Sequence, residues 1–318
     1  RSDFVTHRII IDCDPGQDDA VALFLAFASP ELDVLGITTV GGNVPLELTH
    51  RNARMMCDIA GSDVPVHAGC DKPMRQPLRT AEYIHGETGI NGIDVFDPVT
   101  PLQAQHGVDF IIETLLAADD DSIILVPTGP LTNIGTAIDS EPAILAKIER
   151  IVLMGGAMRE GGNRTPSAEF NILVDPEAAD IVFRCGRPIT QMGLDVTHQV
   201  LSTKERVDRI RALGNPVADA TAGMIGFFER YDMSKYAAPG APLHDPCTVA
   251  WLIRPELFTG KDCNIAIETQ SELTLGHTAV DFWHVTDRPR NVHWVYQVDS
   301  DGFYDLLTER LATYGDAA

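Results

Sequence analysis

Short apolar runs alternate with longer stretches of helical periodicity through the first two thirds of this chain. The apolar runs at 9–12, 34–40, 64–67, 123–126, 151–154 and 189–194 have the length and β-branched content of buried strands. The stretches at 20–28, 46–59, 107–117, 131–138 and 177–184 carry apolar residues at helical spacing. Alternation of this kind predicts an α/β fold, a Rossmann-type open and mostly parallel sheet with helices on both faces. Beyond about residue 200 the pattern shifts to longer helical runs at 204–213 and 218–231, then a helix at 247–253 opened by His244-Asp245-Pro246. Strand-like stretches at 264–268, 278–282 and 292–298 follow, with a closing helix at 303–314. No repeat, low-complexity tract or linker interrupts the chain, so residues 1–318 read as one domain whose last third adds helices and extra strands.

Composition narrows the class of partner. Hydrophobic residues make up 44% and charged residues 22% of the chain, as in an ordinary soluble globular protein. The formal charge of −22 disfavours nucleic acid and anionic membrane surfaces and fits a small neutral substrate or a cation, although most of an acidic surface ordinarily serves solubility alone. No apolar stretch reaches the roughly 18 residues of a membrane span, and the N-terminal residues lack the apolar segment of a secretory signal. The six cysteines show no metal-ligand spacing and several lie in apolar runs, as buried filler in a reducing compartment would. Cytoplasm is the expected location.

The densest chemistry is Asp12-Cys13-Asp14-Pro15-Gly16-Gln17-Asp18-Asp19, four carboxylates in eight residues. An apolar strand ends at Asp12, Pro15-Gly16 makes the turn, and Asp18 and Asp19 open a helix. This places them at the carboxyl end of a strand, where open α/β sheets bind ligands. Carboxylates so close repel one another unless a cation neutralises them, and a hard divalent ion with oxygen ligands suits the set. Asp at a helix start is also an ordinary cap. No Gly-x-Gly-x-x-Gly follows the first strand, which leaves a dinucleotide site unsupported. Other strand ends lead into turns that can reach the same edge, among them Gly41-Gly42-Asn43, Pro127-Thr128-Gly129-Pro130, Met154-Gly155-Gly156 and Gly193-Leu194-Asp195.

The acidic motif, Thr38-Thr39-Val40-Gly41-Gly42-Asn43, Ile84-His85-Gly86-Glu87-Thr88-Gly89, Val126–Asn133 with its Pro127-Thr128-Gly129-Pro130 turn, Val152-Leu153-Met154-Gly155-Gly156, Glu169-Phe170-Asn171 and His244-Asp245-Pro246-Cys247 occur in this order. Along almost its full length the chain thereby resembles nucleoside hydrolases of the inosine–uridine-preferring type. The resemblance implies a nucleoside-hydrolase fold, hydrolysis of the N-glycosidic bond of ribonucleosides to ribose and free base, a bound calcium ion (Ca2+), and a homodimer or homotetramer. It implies that Asp14, Asp19, Asp245 and the main-chain carbonyl of Thr128 ligate calcium, with Asp14 also taking a proton from the attacking water. It assigns Asp18, Asn43, Met154, Asn163, Glu169, Phe170 and Asn171 to the ribose, with Asn163 in a mobile loop over 159–167. His244 would assist the leaving base and His85 would stand near base or ribose. Phe227, Tyr231 and Tyr236 are candidates to line the base, and Asp12 is structural support. Carrying both His85 and His244 points to the branch of broad specificity rather than the purine-specific one, while pyrimidine-preferring relatives share both histidines.

Two other readings stand beside this one. A dehalogenase-type phosphatase also opens with Asp-x-Asp after its first strand, but expects Thr or Val where this chain has Gly16. A nucleoside- or ribose-binding protein could keep the fold without turnover.

Overall fold

Residues Ile9 to Cys13 are all fully buried, and so are most of Ile123 to Pro127, because each run sits in the middle of a sheet covered on both faces. The computed structural model describes residues 6–236 and 239–315, with backbone alone over 228–236. Its strands are β1 His7–Cys13, β2 Leu32–Thr39, β3 Val66–Ala68, β4 Leu102–Gln103, β5 Ile123–Pro127, β6 Ile148–Met154, β7 Ile189–Met192, β8 Leu201–Thr203, β9 Gly240–Pro242, β10 Phe258–Ile267, β11 Thr278–Asp281 and β12 Val292–Val298. Ten of them form one sheet in the order β11-β10-β12-β7-β6-β5-β1-β2-β3-β4. The run from β12 to β4 is parallel throughout, while β10 and β11 add antiparallel at one edge. The pair β8-β9 stands apart as a small antiparallel ribbon.

The order reverses between β1 and β5. The chain winds from β1 through β2 to β3 on one side and from β5 through β6 to β7 on the other, so the turns after β1 and β5 part and leave a crevice. One apolar layer centres on the helix Gln17–Phe27, which is buried from Gln17 to Ala26. It lies among the helices Leu46–Ala60, Pro216–Tyr236, Pro246–Ile253 and Ser300–Ala312, which explains why its sequence is apolar all round. The other face is covered by the helices Gly107–Leu116, Thr132–Ser140 and Pro176–Phe183.

Asp12 fastens the floor of the crevice. Its Oδ1 accepts from Thr38 Oγ1 at 2.5 Å and from Asn133 Nδ2 at 2.7 Å, while Asn133 Nδ2 also reaches Thr39 O and its Oδ1 accepts from Cys70 N. Burial pushes the Asp12 carboxyl up to about 7, against the pull of these two donors. The expected structural role for Asp12 is what the geometry provides.

The α/β architecture with a mostly parallel sheet matches the sequence expectation, and the boundaries differ where local signals were weak. The run at 189–194 ends as a strand at Met192, because Gly193 breaks it and Leu194–Thr197 turns helical. Strand β10 starts at Phe258, six residues before the expected 264. The last strand, β12, pairs in parallel with β7 and so extends the main sheet. Two-residue β4 and the short helices Glu82–His85 and Phe170–Val174 are too brief to leave a periodicity. All six cysteines are free thiols; Cys13, Cys57, Cys247 and Cys263 are the buried filler expected, whereas Cys70 and Cys185 are half-buried. Among the described residues no helix is long and apolar enough to cross a membrane.

Replacing Asn133 by Ala strands Cys70 N–H and half of the Asp12 hydrogen bonding in a buried site. The expected cost is about 2 kcal/mol, read from a denaturant unfolding midpoint. An unchanged midpoint would contradict the bracing role.

Candidate active site

The crevice gathers side chains from both halves of the sheet. Asp14 follows β1 directly and is 1% exposed. Its Oδ2 accepts from the Asn43 backbone N–H at 2.7 Å, and Asn43 Nδ2 donates to Asp14 O at 2.9 Å. Asp14 Oδ1 is buried and has no hydrogen-bond partner among the described residues. The surrounding turns close on this carboxylate: a Cβ at Gly42 would overlap Oδ2, and one at Gly129 would lie 2.5 Å from Oδ1. A side chain at either position would displace this carboxylate.

Asp18 and Asp19 occupy the first turn of the helix Gln17–Phe27, where the positive end of the helix dipole favours them. Asp19 Oδ2 accepts from Gly16 N at 3.0 Å and its Oδ1 from Thr128 Oγ1 at 2.8 Å. Asp245 precedes Pro246, the first residue of the helix Pro246–Ile253, a position where the missing N–H costs nothing. Carboxylate oxygens of Asp18, Asp19 and Asp245 lie within 4.8 Å of one another, an arrangement able to hold a metal ion. Asp14 stands outside that trio, although its charge reaches Asp245. The trio thus includes Asp18, to which the resemblance gives a ribose role.

None of the ion pairs among the described residues neutralises these four carboxylates. Burial first, and then the charge of Asp19, raises Asp14 well above the ordinary carboxylate range. Burial and the charges of Asp18, Asp19 and Asp14 do the same to Asp245, and burial with Asp18 lifts Asp19 to about 7. All the donors are hard oxygens, and one buried oxygen is orphaned. A small divalent cation fits such a set.

Around this cluster stand the remaining expected residues. Thr128 O, one residue past β5, accepts from Asn171 Nδ2 at 2.8 Å, which also reaches Met154 O at 3.1 Å. Glu169 caps the helix Phe170–Val174 and accepts from Asn171 N, Ile172 N and Gly156 N. Burial still lifts its carboxyl to about 7. Asn163 Oδ1 accepts from Phe170 N at 3.0 Å, and Phe170 packs on Leu78, Ala81 and Val174. The loop expected to be mobile over 159–167 is tied at both ends: Met158 N and Arg159 N donate to Asp195, and Ser167 Oγ meets His277.

His85 ends the helix Glu82–His85 and His244 precedes Asp245; each feels Asp18 and His244 feels His85. His244 Nδ1 lies 2.7 Å from Thr197 Oγ1. Burial pulls His244 down to about 4 and lowers His85 as well, so both rings are neutral near pH 7. Phe227 is 36% exposed; the side chains of Tyr231 and Tyr236 lie outside the described residues.

Sequence reasoning passed over three buried side chains that shape the site. Thr197 orients His244, Asn52 Nδ2 holds Pro15 O and Thr88 O, and Gln17 Oε1 lies 2.5 Å from His85 Nδ1. The one available signal was an amide inside the acidic motif itself.

The sequence profile described as inosine-uridine preferring nucleoside hydrolase matches residues 9–305. The chain belongs to the nucleoside hydrolase family. It is 51% identical over 312 residues to a pyrimidine-specific ribonucleoside hydrolase, RihA, of Shewanella sp. (strain MR-7), covering 98% of each chain. The fold superposes on the purine-preferring ribonucleoside hydrolase of Gardnerella vaginalis with a TM-score of 0.91 at 34% identity, covering 98% of this chain and 100% of that one. A plant nucleoside hydrolase gives 0.90 at 32%, covering 96% and 99%. Membership of this family makes the chain a ribonucleoside hydrolase.

The raised carboxyls give a pH signature to the metal-free protein. The unfolded chain releases these protons near the ordinary Asp value of about 3.9. The folded, metal-free chain holds the Asp19 proton to about 7, so stability falls as pH rises between those values. Chelator-treated protein should melt lower at pH about 8 than at pH about 5, with added divalent cation restoring the loss at the higher pH. A melting temperature indifferent to both would contradict the cation site.

Proposed function

We propose that this nucleoside hydrolase cleaves the N-glycosidic bond of ribonucleosides, uridine and inosine among them, with calcium bound by Asp14, Asp19, Asp245 and the Thr128 carbonyl. The observation that carries this reading is the set of buried, unneutralised carboxylates converging at the switch point beside two neutral histidines. When bound, calcium would anchor the ribose hydroxyls and make a nearby water more acidic.

The chain's own residues account for the rest. Asn43 N–H fixes Asp14 Oδ2, which leaves Oδ1 as the oxygen that accepts the proton of the attacking water. Asp18, Asn43, Asn163, Glu169 and Asn171 clamp the ribose, with Met154 and Phe170 against the sugar. Asn171 spends its Nδ2 on Thr128 O and Met154 O, so its Oδ1 is what it offers a hydroxyl. Three backbone N–H groups hold the Glu169 carboxyl in place for the same task. Bond cleavage builds oxocarbenium character on the sugar and negative charge on the base. The Thr197 hydroxyl is able to donate to Nδ1, and in the tautomer proposed here the His244 ring proton sits on Nε2 and hydrogen-bonds the departing base. Its neutral state makes this a hydrogen bond from imidazole rather than a proton handed over by imidazolium.

The 51% identity to a relative named pyrimidine-specific, against 34% to one named purine-preferring, supports uridine and cytidine as the better substrates. A homo-oligomer and a cytoplasmic site of action belong to the same proposal.

Release of free base from uridine, cytidine, inosine and adenosine, compared as kcat/KM, tests the substrate range. Binding of nucleosides without release would instead support a binding protein. Asp14→Ala should lower turnover of every nucleoside by about 1,000-fold. His244→Ala should slow uridine by about 100-fold while sparing p-nitrophenyl riboside, whose leaving group needs no hydrogen bond. Equal losses on the two substrates would sink the assignment to the leaving base. A 2′-deoxynucleoside should be a poor substrate, because it leaves clamp groups unpaired.

A further inference from the structure

We propose that Gln17 is a positioning residue that fixes the tautomer of His85, with the ring proton on Nδ1 and the lone pair on Nε2. This rests on the reading of His85 as a residue that touches substrate. Gln17 is the first residue of the helix Gln17–Phe27, sits between the catalytic carboxylates in sequence, and is 1% exposed. Its Oε1 lies 2.5 Å from His85 Nδ1. An amide oxygen only accepts, so the neutral ring must donate from Nδ1 and keep Nε2 unprotonated.

Two further observations point to function rather than packing. The imidazole lies across Gly16, where a Cβ would come within 2.5 Å of His85 Nδ1, so the turn of the acidic motif is shaped to admit the ring. Gln17 Nε2 is buried and has no hydrogen-bond partner among the described residues. A buried amide that satisfies only its oxygen is a poor choice for stability, and an apolar side chain of similar size would avoid the cost. What Gln17 adds is the orientation of one ring. The His85 backbone is placed independently, through His85 N on Ala81 O and Asn91 Nδ2 on His85 O.

The consequence is a division of labour between the two histidines. His244 presents an Nε2–H donor, whereas His85 presents an Nε2 acceptor suited to a hydroxyl or N–H of the substrate. Tautomers in neutral imidazole are set by the partner of the other nitrogen: the Gln17 amide oxygen can only accept, whereas the Thr197 hydroxyl is able to donate.

Nitrogen-15 NMR of the labelled full chain, with His85 assigned through His85→Ala, reads the tautomer directly. The wild type should show His85 protonated at Nδ1, and Gln17→Leu should move it toward Nε2 protonation. The same variant should lose about 10-fold to 100-fold in kcat/KM for uridine, without a lower melting temperature. In a His85→Ala background Gln17→Leu should cost nothing more, because its effect runs through the missing ring. Nε2 protonation in the wild type, an unmoved tautomer in Gln17→Leu, or losses that multiply in the double variant would each overturn the proposal. Full activity in His85→Ala would instead remove His85 from the substrate site, while the tautomer measurement would still judge Gln17.

Discussion

Four buried carboxylates without a basic partner among the described residues set the terms for everything around them. Isolated charges in a protein interior cost several kcal/mol each, so such a cluster stays protonated or awaits a cation. The surrounding structure is fitted to the second outcome. Backbone N–H groups of Gly16 and Asn43 hold Asp19 and Asp14, the helix dipole faces Asp18 and Asp19, and glycines 42 and 129 let two turns close on Asp14.

The sheet makes this convergence possible without loops having to find each other. Parallel strands put all their carboxyl ends on one edge, and the reversal of order between β1 and β5 opens that edge into a crevice. Asp12 and Asn133 brace the floor, so the ligand turns rise from a rigid base. Asp245 arrives from the start of a helix packed on the Gln17–Phe27 helix, which brings the third carboxylate across more than two hundred residues. The fold thus holds rigidly together groups that would otherwise relax apart.

Much of this was legible in the chain because local rules carried it. Apolar runs of strand length gave the parallel sheet, and Pro15-Gly16 followed by Asp18 and Asp19 marked a strand-to-helix turn at its ligand-binding edge. What escaped depends on contacts between distant segments. No spacing announces that Asp18 stands with Asp19 and Asp245, that Thr197 meets His244, or that Gln17 meets His85 sixty-eight residues away. The short helices bearing His85 and Phe170 hold fewer than two turns, too little for a period to show. The loop around Asn163 looked like free chain because its ties run to Asp195 and His277, which lie in other parts of the sequence.

Carboxylates gathered for a cation are partly protonated without one. Calorimetric titration of calcium into metal-free protein at pH about 7, repeated in buffers of different ionisation enthalpy, counts ions and released protons together. One calcium per chain should bind, with release of about one proton or more. Binding without proton release, or no binding at all, would contradict it.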